Sequence, residues 1–144
     1  MNVRIATEND ADALARLNNR FNKTNDTAQQ VAARIKAIPL AETALVAELE
    51  GSVVGFACLR ITRSLCYDFA LAELTELYVE EGYRRRGVGR ALVEQAERLA
   101  QERGAASLIL LVGRENLSGQ EFYRSIGYQV SPDLVMSKRL SGAN

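Results

Sequence analysis

The stretch L-T-E-L-Y-V-E-E-G-Y-R-R-R-G-V-G, Leu74 to Gly89, narrows the folds open to this chain more than any other. Leu74 to Val79 is aromatic and aliphatic, as in a strand, and Arg84 to Gly89 crowd arginine and glycine into a short loop. Directly afterwards Val88, Leu92, Ala96 and Leu99 recur at helical spacing, so the loop opens a helix, and Gly104 supplies its stop. Ser107 to Val112, S-L-I-L-L-V, then reads as a strand buried on both faces of a sheet. Strand, crossing helix and second strand require a right-handed parallel crossover. Backbone N–H groups at the helix start, approached closely because glycine has no side chain and flanked by arginine, make a receptor for a phosphorylated ligand.

The rest of the chain supplies a frame for that receptor. Val3 to Ala6 reads as an opening strand, and Thr7 with Asp10 as a helix start ahead of the apolar stripe Ala11, Leu14, Leu17 and Phe21. After a polar break, Asn22 to Asp26, Thr27 with Gln30 repeats the capping pattern before Val31, Ile35 and Ile38, and Pro39 ends that helix. These helices pack on the core or, in a second reading, the linker and second helix cover a substrate. Leu45 to Ala47, a turn at Glu50-Gly51, Val53 to Ile61 with Gly55 marking a bulge, and Leu71 to Val79 form a strand series. A last helix, Ser118 to Ile126, stops at Gly127, and Tyr128 to Val130 and Leu134 to Met136 add closing strands.

At 144 residues, 47% apolar and 25% charged, the chain is expected to be one globular domain. Its 18 basic and 18 acidic residues cancel, which argues against bulk binding to nucleic acid or membrane and makes the arginine cluster a local feature. No apolar run has membrane-span length and M-N-V-R-I-A lacks a secretion-signal core, so a cytoplasmic protein is expected. The absence of histidine removes Ser-His-Asp and Cys-His sites and imidazole zinc sites, and Cys58 and Cys66 have no metal spacing. Acid–base chemistry must use carboxylates, tyrosine or water.

No G-x-x-x-x-G-K-[ST] string is present, and G-V-G-R-A-L lacks the third glycine of a dinucleotide fingerprint. R-R-R-G-V-G, Arg84 to Gly89, instead resembles the R-x-x-G-x-G acyl-CoA signature of the GNAT superfamily of N-acetyltransferases. Downstream, E-N-L-S-G-Q-E-F-Y-R-S-I-G-Y, Glu115 to Tyr128, is similar to that family's E-N-x-x-A-x-x-F-Y-x-x-x-G-[FY]. The order of elements agrees across essentially the whole chain. Two departures stand out: Glu81-Gly82 where proline is frequent, and Gly119 where alanine is usual.

The resemblance implies an α/β fold over residues 1–144: a mixed, mostly antiparallel twisted sheet with a parallel strand-helix-strand acyl-CoA site and helices on both faces. It implies direct acetyl transfer from acetyl-CoA to an amine, without an acyl-enzyme or a metal; a non-catalytic acyl-CoA-binding sensor or interaction domain is the alternative. Carried over by motif, N–H groups of Arg85, Arg86, Gly87, Val88, Gly89 and Arg90 would hold the pyrophosphate, and the side chains of Arg84 and its neighbours would add charge. The backbones of Leu77 and Val79 would pair with the pantetheine arm, Asn116 would contact the cofactor, and Tyr123 would protonate the departing thiolate. Glu73 aligns with a glutamate base of several relatives, and Glu76 is the alternative. By alternation Glu73, Thr75, Leu77 and Val79 share one face and Glu76 the other, unless a bulge swaps them. Asp68, Glu73, Glu76, Glu80 and Glu81 favour a cationic acceptor, and the family's frequent pairing with the exposed closing strands implies a homodimer.

Overall fold

The computed structural model describes residues 1–37 and 42–142, which divide into two compact units, 1–111 and 112–144. The expected helix end at Ile38 and Pro39 lies outside the described residues. The first unit runs β1 (Asn2–Ile5), α1 (Ala11–Asn22), α2 (Ala28–Ala37), β2 (Glu42–Leu49), β3 (Ser52–Thr62), β4 (Ala70–Val79), α3 (Val88–Glu102) and β5 (Ala105–Leu110). The strands form one sheet in the order β1-β2-β3-β4-β5, antiparallel except for the last pair, where β5 runs parallel to β4 across the helical crossover. The parallel strand begins and ends two residues earlier than the apolar run Ser107 to Val112 predicts, and it is not buried on both faces: it is the edge strand of the sheet, with Ala106, Ser107 and Ile109 exposed.

Local chemistry places the ends of these elements. Thr7 N–H donates to Asp10 Oδ2 at 2.8 Å, closing a single 3-10 turn, Glu8–Asp10, that leads into α1. Thr27 and Gln30 make the reciprocal capping pair of α2, at 2.8 and 3.1 Å. Arg4 grips both oxygens of buried Asp10 at 2.8 Å and also bonds Glu48, tying β1, β2 and the start of α1 together. Its guanidinium holds the Asp10 carboxyl below the usual range. Glu50 and Gly51, with φ of 55° and 81°, make the two-residue hairpin between β2 and β3, a geometry whose twist suits paired strands.

Helices cover both faces of the sheet. Leu14, Leu17 and Val31 of α1 and α2 bury Val46 and Phe56 on one face, with Cys58 and Tyr78 half-buried beside them. On the other, α3 buries Val88, Leu92, Val93, Ala96 and Ala100. Gly55 permits that second contact: a Cβ there would lie 2.9 Å from Tyr78 O, 3.2 Å from Leu92 Cδ1 and 3.4 Å from Val88 Cγ1. The bulge expected at Gly55 is at its neighbour instead, since Ala47 pairs with Gly55 and Glu48 with Val53, leaving Val54 as the extra residue. A second bulge interrupts β4: Leu59 pairs with Leu74 and Cys58 with Glu76, leaving Thr75 unmatched.

The second unit contains α4 (Leu117–Ser125), followed by Gly127 at φ 101°. The expected closing strands at Tyr128 to Val130 and Leu134 to Met136 are absent from the described residues, and Val130, Leu134, Val135 and Met136 are exposed. A short apolar stretch makes a strand only where a neighbouring edge accepts its backbone hydrogen bonds, and this unit contains no such edge among its described residues.

Because the space over Gly55 is closed by backbone as well as by α3, Gly55→Ala is expected to destabilise the fold by about 1–3 kcal/mol. Urea unfolding measures it, and an unchanged midpoint would show that α3 retreats without cost.

Candidate active site

The chain leaves β4 through one 3-10 turn, Glu81–Tyr83, and enters α3 by way of two left-handed residues, Arg85 at φ 62° and Gly87 at φ 82°. The first bond of the α3 ladder is Ala91 N–H to Gly87 O, 3.0 Å, so the N–H groups of Val88, Gly89 and Arg90 precede it. They form the positive end of the helix dipole, ready for an anion. The arginine side chains divide. Arg84 folds back, donating Nε to Val79 O at 2.8 Å with its guanidinium over the Tyr78 ring. Arg86 pairs with Glu50 and Arg90 with Glu94, at 2.8 and 2.9 Å. Arg85 has no hydrogen-bond or ion-pair partner among the described residues.

The strand before the loop offers an open edge. Pairing between β4 and β5 ends at Leu74 with Leu110, whereas β4 continues to Val79. Glu80 N–H bonds Val54 O at 2.8 Å, so the N–H groups of Glu80 and Tyr78 point toward β3 and, by alternation, the N–H and C=O of Leu77 and Val79 point the other way. Five residues of strand therefore run past the last partner on that side. An extended chain can add there through main-chain hydrogen bonds, although the Val79 carbonyl is already engaged by Arg84.

The Thr75 bulge rearranges the carboxylates. Alternation sets Glu73 with Leu77 and apart from Glu76; in the structure Glu73 lies across from Arg60 and Glu76 across from Cys58, so both glutamates share the α1/α2 face. Thr75 Oγ1 donates to Cys58 O at 3.3 Å within the bulge. Glu73 lies 3.8 Å from Arg60. Glu76 is half-buried, and burial, reinforced by the charge of Glu42, pushes its carboxyl above the usual range, against a hydrogen bond from Asn22 that lowers it. The Cys58 thiol between Glu42 and Glu76 is pushed up to about 12, by burial first and then by the two carboxylates, so it stays protonated and is no nucleophile.

Of the acidic residues expected to form a cationic-acceptor site, Glu80 is neutralised by Arg16 and Arg20 at 2.7 and 2.6 Å. Glu42 replaces it. It pairs in register with Arg60 and reaches Glu76 only because β2, β3 and β4 lie side by side. Neither Glu42 nor Asn22 lies near a motif: the sheet register brings in Glu42, and Asn22 belongs to the end of α1.

Asn116 and Tyr123 belong to the second unit. Asn116 is the N-cap of α4, its Oδ1 accepting from Gly119 N–H at 3.0 Å. A Cβ at Gly119 would fall 2.5 Å from Asn116 Nδ2, so glycine at that position is what lets the asparagine fold over the helix start. Tyr123 packs edge-on against Phe122 and Tyr128, and burial raises its phenol above the ordinary value.

Residues 11–128 match the family described as the acetyltransferase (GNAT) family. Among curated proteins, the uncharacterized N-acetyltransferase YhfO of Bacillus subtilis is 31% identical over 140 residues, covering 94% of each chain. The uncharacterized N-acetyltransferase MJ1207 of Methanocaldococcus jannaschii is 38% identical over 85 residues, 58% of this chain but only 38% of its own length. The match to an Archaeoglobus fulgidus N-acetyltransferase likewise spans 56% of that relative. Among solved structures, aminoglycoside N-acetyltransferase AAC(6')-Iy in complex with CoA superimposes with a TM-score of 0.84 at 16% identity, covering 97% of this chain and 95% of that one, which is a likeness of fold. A match over most of the chain, on a five-stranded sheet whose parallel pair is bridged by the glycine-arginine helix start, makes this chain a member of the GNAT acetyltransferase family.

Proposed function

We propose that residues 1–144 are a single acetyl-CoA-dependent N-acetyltransferase domain that moves acetyl directly to an amine. One observation carries this: the open edge of β4 at Leu77 and Val79 runs straight into the anion-receptive start of α3. A pantetheine arm added along the edge brings a pyrophosphate to the N–H groups of Arg85, Arg86, Gly87, Val88, Gly89 and Arg90. Arg85 is free to add charge, whereas Arg84 serves mainly to shape the turn and Arg86 must leave Glu50 to take part. Asn116 contacts the cofactor through its Nδ2, its Oδ1 being committed to the cap.

In the reaction an amine loses a proton and attacks the thioester carbonyl, and the tetrahedral adduct collapses, breaking the C–S bond and releasing CoA thiolate, which takes up a proton. Glu76 is the better base of the two candidates. It has no ion-pair partner among the described residues and its affinity for protons is raised, bringing it nearer an amine, whereas Glu73 is paired with Arg60. Glu42, Glu73 and Glu76 against the single cation Arg60 favour a cationic acceptor, as does the aminoglycoside named for the CoA-bound neighbour. The two free cysteines suit a reducing cytoplasm. Pairing of two copies would cover a sheet edge, such as β1, and light scattering is expected to give a dimer mass; a monomer would end that part of the proposal.

Incubation with acetyl-CoA and a panel of amines, followed by thiol release, tests the whole. Release is expected with cationic amines. CoA retained with no release for any amine would mark a binding domain, and reaction with neutral or anionic amines alone would remove the cationic acceptor. Gly89→Val places a side chain where pyrophosphate must approach the backbone, and acetyl-CoA affinity is expected to fall in calorimetric titration while the fold survives.

Tyr123 is the proton donor to the thiolate. A half-buried phenol with a raised pKa stays protonated through the neutral range, as a donor must. Tyr123→Phe keeps the ring packing and is expected to lower kcat by about 10²–10⁴-fold with acetyl-CoA affinity nearly intact. Wild-type turnover with chemistry rate-limiting would return Tyr123 to a packing role.

A further inference from the structure

The hairpin turn between β2 and β3 reaches the arginine loop. Glu50 takes the first position of that turn at φ 55° and Gly51 the second at φ 81°. Such left-handed backbone suits glycine, asparagine and aspartate, whereas glutamate adopts it uncommonly. Glu50 is exposed, so packing does not account for it. Its carboxylate does: Glu50 Oε1 accepts from Arg86 Nη2 at 2.8 Å, across 36 residues of sequence. Glycine or asparagine would serve the turn and carry no charge, and aspartate is one methylene shorter. The loop has a use for this counterion. Arg84, Arg85 and Arg86 are consecutive and precede the positive end of α3, so their charges repel one another until an anion arrives. Arg84 is held on Val79 O, and Arg86 is held on Glu50 with its guanidinium 5.5 Å from the centre of the Tyr83 ring. A guanidinium paired with a carboxylate is close to neutral as a unit and has given up much of its attraction for a second anion.

We propose that Glu50 is a positioning residue that sets cofactor affinity through Arg86: it holds the guanidinium on the β2–β3 turn and yields it to the pyrophosphate when acetyl-CoA binds. This rests on the arginine-glycine loop being the pyrophosphate site. Binding then exchanges one ion pair for another, and the apparent affinity is lowered by the fraction of molecules in which Arg86 is still paired. Acetyl-CoA and CoA share the pyrophosphate, so the latch loosens substrate and product alike. The acetyl group is transferred at the other end of the cofactor, and the latch does not touch that step.

Two variants remove the charge in different ways. Glu50→Gln keeps the length of the side chain, and Glu50→Asn supplies a residue that suits the turn, so a weakened fold cannot be mistaken for a lost ion pair. An exposed pair of this kind shifts an equilibrium by about 1.5–5-fold. In calorimetric titration at about 0.15 M salt, both variants are expected to bind acetyl-CoA and CoA more tightly than wild type by that factor. S-acetylpantetheine, which lacks the pyrophosphate, is expected to bind all three proteins alike. In an Arg86→Gln background the gain from either Glu50 substitution is expected to vanish. Acetyl-CoA binding that is unchanged or weaker in both single variants overturns the latch. A gain that persists undiminished in Arg86→Gln marks plain repulsion between Glu50 and the cofactor, and overturns it too. The loop assignment fails separately, through a Gly89→Val protein that binds acetyl-CoA as wild type does; the latch then falls with it, because Arg86 has no pyrophosphate to receive.

Discussion

Everything the site requires converges on two residues, Val79 and Glu80, where β4 becomes loop. Arg16 and Arg20 of α1 share Glu80 Oε1, Arg16 also reaches Val53 O at 3.2 Å, Glu80 N–H closes onto Val54 O, and Arg84 returns to Val79 O. Each surface pair is worth only about 0.2–1 kcal/mol by itself. Their joint effect is directional: helix, sheet and loop are registered on one another at the point where the helix dipole of α3 and the open strand edge must coincide. Freed from that junction, the loop would keep its glycines and lose its aim.

Register does the rest of the sorting. One unmatched residue, Thr75, separates β4 into a portion paired on both sides, which carries Glu73, and a portion whose backbone faces an open edge, which carries Glu76, and it brings both carboxylates to the α1/α2 face. In the function proposed above, one stretch of strand would serve two ends, the backbone of Leu77 and Val79 for the cofactor and the side chain of Glu76 for the base. A regular strand of the same composition would have set Glu73 and Glu76 on opposite faces.

Much of this was legible in the residues and some was not, for physical reasons. Thr7 with Asp10, Thr27 with Gln30, Glu50-Gly51 and Gly87 signal structure through bonds or dihedrals local to themselves, and the structure realises each of them. The spacing of Val88, Leu92 and Ala96 likewise becomes the buried stripe of α3. The bulge is different, because it belongs to the pairing of two strands about fifteen residues apart and has no composition of its own. Glu42 was invisible for the same reason. Gly55 signalled an irregularity correctly and its cause incorrectly: the glycine answers to a helix packed on the opposite side of the sheet, not to the bulge beside it. The short apolar stretches beyond Gly127 suggest closing strands, but local composition says nothing about whether an edge is there to receive them.

The two cysteines live in opposite chemical worlds. Cys58, hemmed in by burial and two carboxylates, is a thiol that alkylating agents, disulfide reagents and peroxide will find almost inert at neutral pH, while Cys66 sits exposed in the connection between β3 and β4. The chain therefore arrives with one addressable sulfur. A fluorophore or spin label attached at Cys66 would report from the connection between β3 and β4 without a single residue having been engineered, and thiol-trapping reagents used to count released thiol would carry a background of one equivalent per chain instead of two.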